Sequence, residues 1–376
     1  FMLKVFFESL INLIKFINID NKKKEFIFYS ESKFYREHFI DLILNLKKSG
    51  QKNIILITSD KDDINFFKET LTCLYIKNYF ILSIFFKILN CKFMIMTLTD
   101  LGIHFQKSKL CKFYVYFFHA IASTHQIYTN SAFKNYDIIL SNGEYQSKEL
   151  RLTEEQFNFP KKEIVNSGYF FLDNIKKKAN LKSKEKRHVL FAPSWNYNKE
   201  NLFNDYGIDV ISNLLSKNFI LTLRPHPEHY KRSKNTINKI NKLFSNDKNF
   251  FLDKRISNLK SLEKAEILIT DNSSIVFEFI LIFKRPIIYI DYIEKIHNTD
   301  RDKIPIMTID EEFKTVFGNK LNISNLENLA YLCENLINEN NVSSQLVDSF
   351  AKKYLSNLDH SAPFAANYLT SKSKSN

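Results

Sequence analysis

The 376-residue chain is longer than one compact domain ordinarily is, and its 44% hydrophobic and 15% aromatic content excludes a disordered protein. Its net charge of +13 accompanies a surplus of Lys, Ile, Asn and Phe that reads as coding bias, yet a basic surface still favours lipid headgroups, nucleotide diphosphates or acidic polymers. Nucleic acid is not expected as a partner, because no zinc-finger spacing, RNP signature or basic heptad array occurs.

In chain order, Met2 to Ile17 carries charge throughout and shows no small-residue cleavage site, so it does not read as a signal peptide. A docked terminal helix is the expectation. With Lys22-Lys23-Lys24 behind it, an amphipathic helix on an anionic membrane surface is the alternative. Lys77, Lys87 and Lys92 interrupt the most apolar region, which argues against a membrane-spanning helix. Strand-like runs follow at Phe26 to Tyr29, Ile54 to Thr58, Phe93 to Thr97, Phe113 to Phe118 and Tyr136 to Leu140, separated by helical stretches, which is the α/β pattern. The fourth run leads straight into His119, and Ser123 and His125 lie on the same predicted loop. A histidine at a strand's carboxyl end, facing a cleft between domains, is placed to take a proton from an attacking hydroxyl. His125 reads equally as a satisfied core or capping residue. Cys73, Cys91, Cys111 and Cys333 show no metal-ligand or CxxC spacing, so no metal is expected and a reducing, cytoplasm-facing location is the simplest account.

The charged stretch Lys176 to Arg187 lacks an apolar period and reads as a linker. It divides the chain into a first domain at 1–180, a second at 187–355 and a tail at 356–376 whose last residues look frayed. The second domain opens with the strand-like His188-Val189-Leu190-Phe191 running into Ala192-Pro193-Ser194-Trp195. Phe219 to Leu223 ends in Arg224-Pro225-His226-Pro227, where prolines stiffen a strand exit that carries a guanidinium and an imidazole. Ile267 to Ile269 ends in Thr270-Asp271-Asn272-Ser273-Ser274 immediately before a predicted helix from Ile275, with Ser273 and Ser274 in its first turn. Free N–H groups and the helix dipole make such a turn an anion site, although Asp and Ser there are also ordinary N-caps. Only six glycines are present and none forms a phosphate-binding glycine loop, so phosphate must be held by helix N-termini and side chains.

These segments resemble the CDP-glycerol:poly(glycerophosphate) glycerophosphotransferases, which make teichoic-acid-like and capsular polymers. Leu190-Phe191-Ala192-Pro193-Ser194-Trp195 is similar to that family's "APTW" segment, Arg224-Pro225-His226-Pro227 to its "RPHP", and Ala265 to Ser274 to its "ADILITDYSS". Lys284-Arg285-Pro286-Ile287-Ile288-Tyr289 resembles its "KPIIFY" ending. The resemblance implies a GT-B-like architecture of two Rossmann-like domains facing a central cleft, with the nucleotide held mainly by the second. It implies that Arg224, His226, Thr270, Asp271, Ser273 and Ser274 contact the donor's diphosphate or the transferred phosphoryl group, with Pro193 and Ser194 also donor-binding. His119 would match the family's Trp-His-Gly histidine, and Ser123 and His125 would lie on the acceptor side. Here Phe118-His119-Ala120 replaces Trp-His-Gly and Asn272 stands where Tyr is usual, and the string from Phe118 to Tyr128 resembles a subgroup associated with surface carbohydrates.

The reading is a transferase that moves a polyol-phosphate unit from a nucleotide-activated, CDP-linked donor to a hydroxyl of a surface glycan or lipid-linked acceptor. His119 would act as base, His226 would assist, and no separate cofactor is required. A GT-B glycosyltransferase using a nucleotide sugar is the nearest alternative, followed by a non-catalytic module binding anionic polymer or membrane. An epimerase on the same fold comes last.

Overall fold

The computed structural model describes residues 2–197, 200–339 and 342–375. The chain forms two compact units. The first takes the chain up to Asn174, together with Asp300–Pro305 and the C-terminal stretch from Tyr354, and the second comprises Ile175–Thr299 and Ile306–Lys353. The passage from first to second falls inside the helix Phe170–Lys178, just ahead of the charged stretch.

Seven parallel strands build the first unit: β1 (Phe26–Ser30), β2 (Ile54–Thr58), β3 (Thr72–Tyr75), β4 (Cys91–Met96), β5 (Cys111–Phe117), β6 (Ile138–Ser141) and β7 (Glu163–Asn166). Their order is β3-β2-β1-β4-β5-β6-β7. Period-two alternation sorts the side chains onto two faces. Ile27, Ile57, Met94 and Tyr116 pack under the helices Met2–Ile17 and Tyr79–Ile88, through Leu13, Phe16, Leu82 and Phe86. Phe26, Phe28, Phe93 and Phe117 pack on the opposite side against Phe39, Leu42 and Leu46 of the helix Arg36–Lys48. Both faces are covered, so the central strands are apolar throughout.

The residues from Ser371, which the sequence reads as frayed, instead continue a helix to Lys374. The helix Ser361–Lys374 buries Ala362, Ala365, Ala366 and Leu369 in the same layer as the helix Arg36–Lys48. The Asp173 carboxylate anchors its start, accepting from the Asp359 and Ser361 backbone N–H groups at 2.9 Å each and from the Ser361 hydroxyl. Two glycines admit the returning chain. A Cβ on Gly143 would stand 1.9 Å from the Tyr354 carbonyl oxygen, and one on Gly168, at φ +91°, 2.2 Å from that of Ser356.

The second unit has β8 (His188–Phe191), β9 (Ile220–Leu223), β10 (Phe250–Leu252), β11 (Ile267–Thr270), β12 (Ile287–Asp291) and β13 (Gly318–Asn322), all parallel, in the order β10-β9-β8-β11-β12-β13. Counted within the unit this is 3-2-1-4-5-6, the doubly wound order, whose direction of winding reverses between β8 and β11. Val189, Phe191, Ile267 and Ile269 pack with Val210, Ile211 and Leu214 of the helix Leu202–Ser216.

Gly143→Ala is expected to destabilise the protein by about 2 kcal/mol or more, because the added methyl must displace backbone. Gly50→Ala, at φ +87° with open space around it, should cost only about 1 kcal/mol. Urea denaturation of both variants checks the difference.

Candidate active site

In the second unit, β8 and β11 are paired so that Phe191 lies opposite Ile269, which brings their exits together at the point where winding reverses. Side chains tie the exits. The Thr270 hydroxyl donates to the Ala192 carbonyl at 2.7 Å, and the Asp271 carboxylate accepts from the Ser194 backbone N–H at 2.7 Å and from its hydroxyl at 2.9 Å. His229, buried, adds a contact between its Nε2 and the Ser194 carbonyl at 2.9 Å. The helix then starts at Ile275 and continues to Phe283, with its last five residues π-helical. Ser274 is its N-cap residue and Ser273 precedes it, so both stand just ahead of the first turn instead of inside it. Neither hydroxyl makes a hydrogen bond among the described residues, and both are partly exposed at the sheet's carboxyl end.

Above this junction sits an aromatic and basic cluster. Trp195, the only tryptophan of the chain, has its ring centre 4.8 Å from Tyr197, 5.3 Å from His297 and 5.8 Å from His226. The Arg232 guanidinium lies 5.2 Å over the indole and the Lys295 ammonium 5.5 Å. The His226 Nδ1 accepts from the Glu228 backbone N–H at 3.2 Å, which puts the proton of the neutral ring on Nε2. Burial, followed by the Lys295 charge, lowers the His297 pKa to about 4.

Arg224 points elsewhere. Its guanidinium donates to Asp253 at 2.7 Å and to the Ile256 carbonyl at 2.9 Å. Burial would raise the Asp253 pKa, but hydrogen bonds from Arg255 and Ser261 and the Arg224 charge outweigh it and hold the carboxylate at about 2. Arg224 therefore braces the β9 exit and leaves His226 as the outward member of its segment.

In the first unit, His119 follows β5, with its ring edge-on to Tyr35 at 5.2 Å and to His38 at 6.0 Å. The Tyr169 hydroxyl donates to the His119 carbonyl at 3.0 Å, and Phe171 lies 4.2 Å from the His38 ring. The Nδ1 atoms of His119 and His38 are both buried without a hydrogen-bond partner among the described residues. Ring packing, not a carboxylate, thus orients His119. Burial lowers its pKa to about 4, so the ring is neutral at physiological pH and can accept a proton. Burial, then the neighbouring His119, pushes His38 well below its ordinary value.

The pattern of the CDP-Glycerol:Poly(glycerophosphate) glycerophosphotransferase family matches residues 97–362. The chain belongs to this family. No curated protein matches it in sequence. Two structures of the wall teichoic acid polymerase TagF share the fold, each over 100% of this chain and 99% of the other: a histidine-to-alanine variant (14% identity, TM-score 0.60) and a histidine-to-asparagine variant soaked with CDPG (15%, 0.60). UDP-GlcNAc 2-epimerase from Neisseria meningitidis, solved with UDP-GlcNAc, also shares it, at 13% identity over 93% of this chain and 100% of the other, with a TM-score of 0.59. The protein is therefore a GT-B-type transferase of the glycerophosphotransferase family.

Within this family member the sequence-derived residues fall into two sets. Ser273, Ser274 and His226 stand at the carboxyl end of the second sheet. Thr270, Asp271 and Ser194 spend their polar atoms on one another's segments, Pro193 is buried beside them, and Arg224 is spent on Asp253. In the first unit Ser123 and His125 are buried, and the His125 Nδ1 lies 3.6 Å from a Glu149 carboxylate oxygen. Glu149 also accepts from the Thr124 backbone and hydroxyl, while Gln146 and Asn142 bond the Ala122 and Ala120 carbonyls, so this loop is stapled to the β6 exit and the helix Glu144–Gln156. Sequence reasoning missed His38, Lys295 and His297. His38 carries no motif, whereas Lys295 and His297 lie on the loop that follows the carboxyl end of β12, Ile287–Asp291.

The Asp253 carboxyl is depressed from 3.8 to about 2, so its stabilisation is complete above about pH 4 and disappears as the pH falls through about 2. The stability gap between wild type and Asp253→Asn should narrow as urea melts are taken from about pH 5 to about pH 2.

Proposed function

We propose that the protein transfers a glycerol-phosphate-like polyol phosphate from a CDP-activated donor to a hydroxyl of a surface glycan or lipid-linked acceptor. The observation that carries this reading is the family match, which spans the His119 loop and the β8, β9 and β11 exits together. In this scheme the acceptor oxygen attacks the polyol-bearing phosphorus. The bond from that phosphorus to the bridging oxygen breaks, CMP leaves with the electron pair, and His119 takes the hydroxyl proton. Ser273, Ser274 and His226 would bear on the diphosphate, where charge develops, and the Ile275 N–H would add to them. Thr270, Asp271, Ser194 and Arg224 would act by holding these groups in place. Ser123 and His125 would hold the acceptor loop without touching the acceptor.

The test is to incubate the protein with CDP-polyols and nucleotide sugars, with a lipid-linked or oligosaccharide acceptor, and identify the nucleotide released. CMP released from a CDP-polyol is the expected outcome. A nucleoside diphosphate would make the protein a glycosyltransferase, and no turnover would favour a binding module. His119→Gln should lower kcat by about 100-fold or more while CDP affinity is kept. Because only the neutral ring accepts the proton, the acid limb of kcat/KM should lie near the His119 value of about 4 and not near 6.5.

We further propose that the protein sits on an anionic membrane surface. No helix among the described residues is long and apolar enough to cross a membrane. The helix Met2–Ile17, however, shows outward what its buried face shows inward: Leu3, Phe7, Ile11 and Ile14, at helical spacing, are 74%, 55%, 52% and 49% exposed. Exposed Tyr79 and Phe80 open the helix that it packs on, and Lys4, Lys15, Lys22 and Lys23 are exposed nearby. Lys24 is not part of this fringe, since it is buried and its ammonium bonds the Ile17 carbonyl. Wild type is expected to sediment with phosphatidylglycerol vesicles at low salt, and Phe7→Glu with Ile11→Glu to remain in the supernatant. Equal sedimentation of the two would remove this assignment.

A further inference from the structure

Among the described residues of the second unit, Lys295 is a partly buried cation with no hydrogen-bond or ion-pair partner. Arg224 is paired with Asp253, Arg232 bonds Glu228 at 3.2 Å, and Lys314 donates to the Asn272 side chain at 2.6 Å. The Lys295 ammonium rests over the Trp195 indole, and burial lowers its pKa against the pull of the Asp271 and Asp310 charges. The Asp271 carboxylate is itself held by Ser194. An ammonium has three donors, and none of these meets an acceptor of the described residues. Two residues on, the His297 Nε2 is buried without a partner, with its ring against Trp195 and Tyr197. Two polar groups short of acceptors thus share one aromatic floor, next to the junction that carries Ser273 and Ser274.

We propose that Lys295 and His297 are diphosphate-binding residues, so that the loop after β12, and not Arg224, supplies the positive charge of the donor site. This inference rests on the reading of the second unit as the donor-binding unit. A diphosphate oxygen would saturate the ammonium and accept from the His297 Nε2 carrying a proton, and it would draw the Lys295 charge off the indole. The anion would also offset the burial and the Lys295 charge that now keep His297 neutral.

Trp195 is the sole tryptophan and therefore reports on this site alone. Its emission should change on titration of the full chain with inorganic pyrophosphate or CDP, and calorimetry should give matching affinities. Lys295→Met is expected to lose about tenfold or more in affinity for both probes, the effect of removing a charge-assisted hydrogen bond, and Lys295→Arg to retain most of it. His297→Phe, which keeps the ring packing, should also bind both more weakly. Wild-type affinity in Lys295→Met would overturn the proposal, as would calorimetric binding with no change in Trp195 emission, or a wild type that binds neither probe. Binding of pyrophosphate without preference for CDP over other nucleoside diphosphates would leave this assignment standing and remove the CDP-linked donor from the proposed function.

Discussion

The junction of β8 and β11 is the constraint on which the polar arrangement of the second unit depends. Parallel pairing places both strand exits at one end of the sheet, and the reversal of winding directs the flanking connections to opposite faces. Asp271 then closes the junction by accepting twice from Ser194, and Thr270 bonds the preceding carbonyl. A buried carboxylate so used cannot also ligate an anion, which like-charge repulsion would oppose in any case. Its function is geometric: it holds the Trp195 loop and the start of the following helix in one register.

Charge is distributed by the same logic. Two cations close to the sheet are neutralised by carboxylates, Arg224 by Asp253 and Arg232 by Glu228. Lys295 is instead held over an aromatic face whose quadrupole attracts a cation without neutralising it. That arrangement keeps an ammonium in place while its hydrogen-bonding capacity stays open. The first unit positions a histidine in a related way. His119 is oriented by the rings of Tyr35 and His38 and by the anchoring of its own carbonyl on Tyr169, so it needs no carboxylate that would raise its pKa.

Legibility of the strands followed burial. The nine central strands are covered on both faces and appear in the sequence as apolar runs, from Phe26-Ile27-Phe28-Tyr29 to Ile287-Ile288-Tyr289-Ile290. The four that escaped, β3, β7, β10 and β13, are the edge strands of the two sheets. Gly318-Asn319-Lys320-Leu321-Asn322 is hydrogen-bonded on one side only and partly faces solvent, so its composition is that of a loop. The C-terminal helix escaped for another reason. Its burying face is three alanines and a leucine, too small a signal to mark a docked helix, and its docking relies on Gly143 and Gly168, which are distant in sequence.

The sequence by itself determined the fold class, the parallel order of strand and helix, and the family, because these rest on local runs and on motifs read within a few residues. It also determined which segments stand at strand carboxyl ends. Only the tertiary structure decided what each polar side chain there does. Arg224 and Asp253 are far apart in the chain, as are Ser194 and Asp271 or His38 and His119, and whether a charge is spent or open depends on the partner that folding brings within about 3 Å of it. That is why Arg224 reads as a ligand in the sequence and is a brace in the fold, while Lys295, which carries no motif, is left with its donors unfilled.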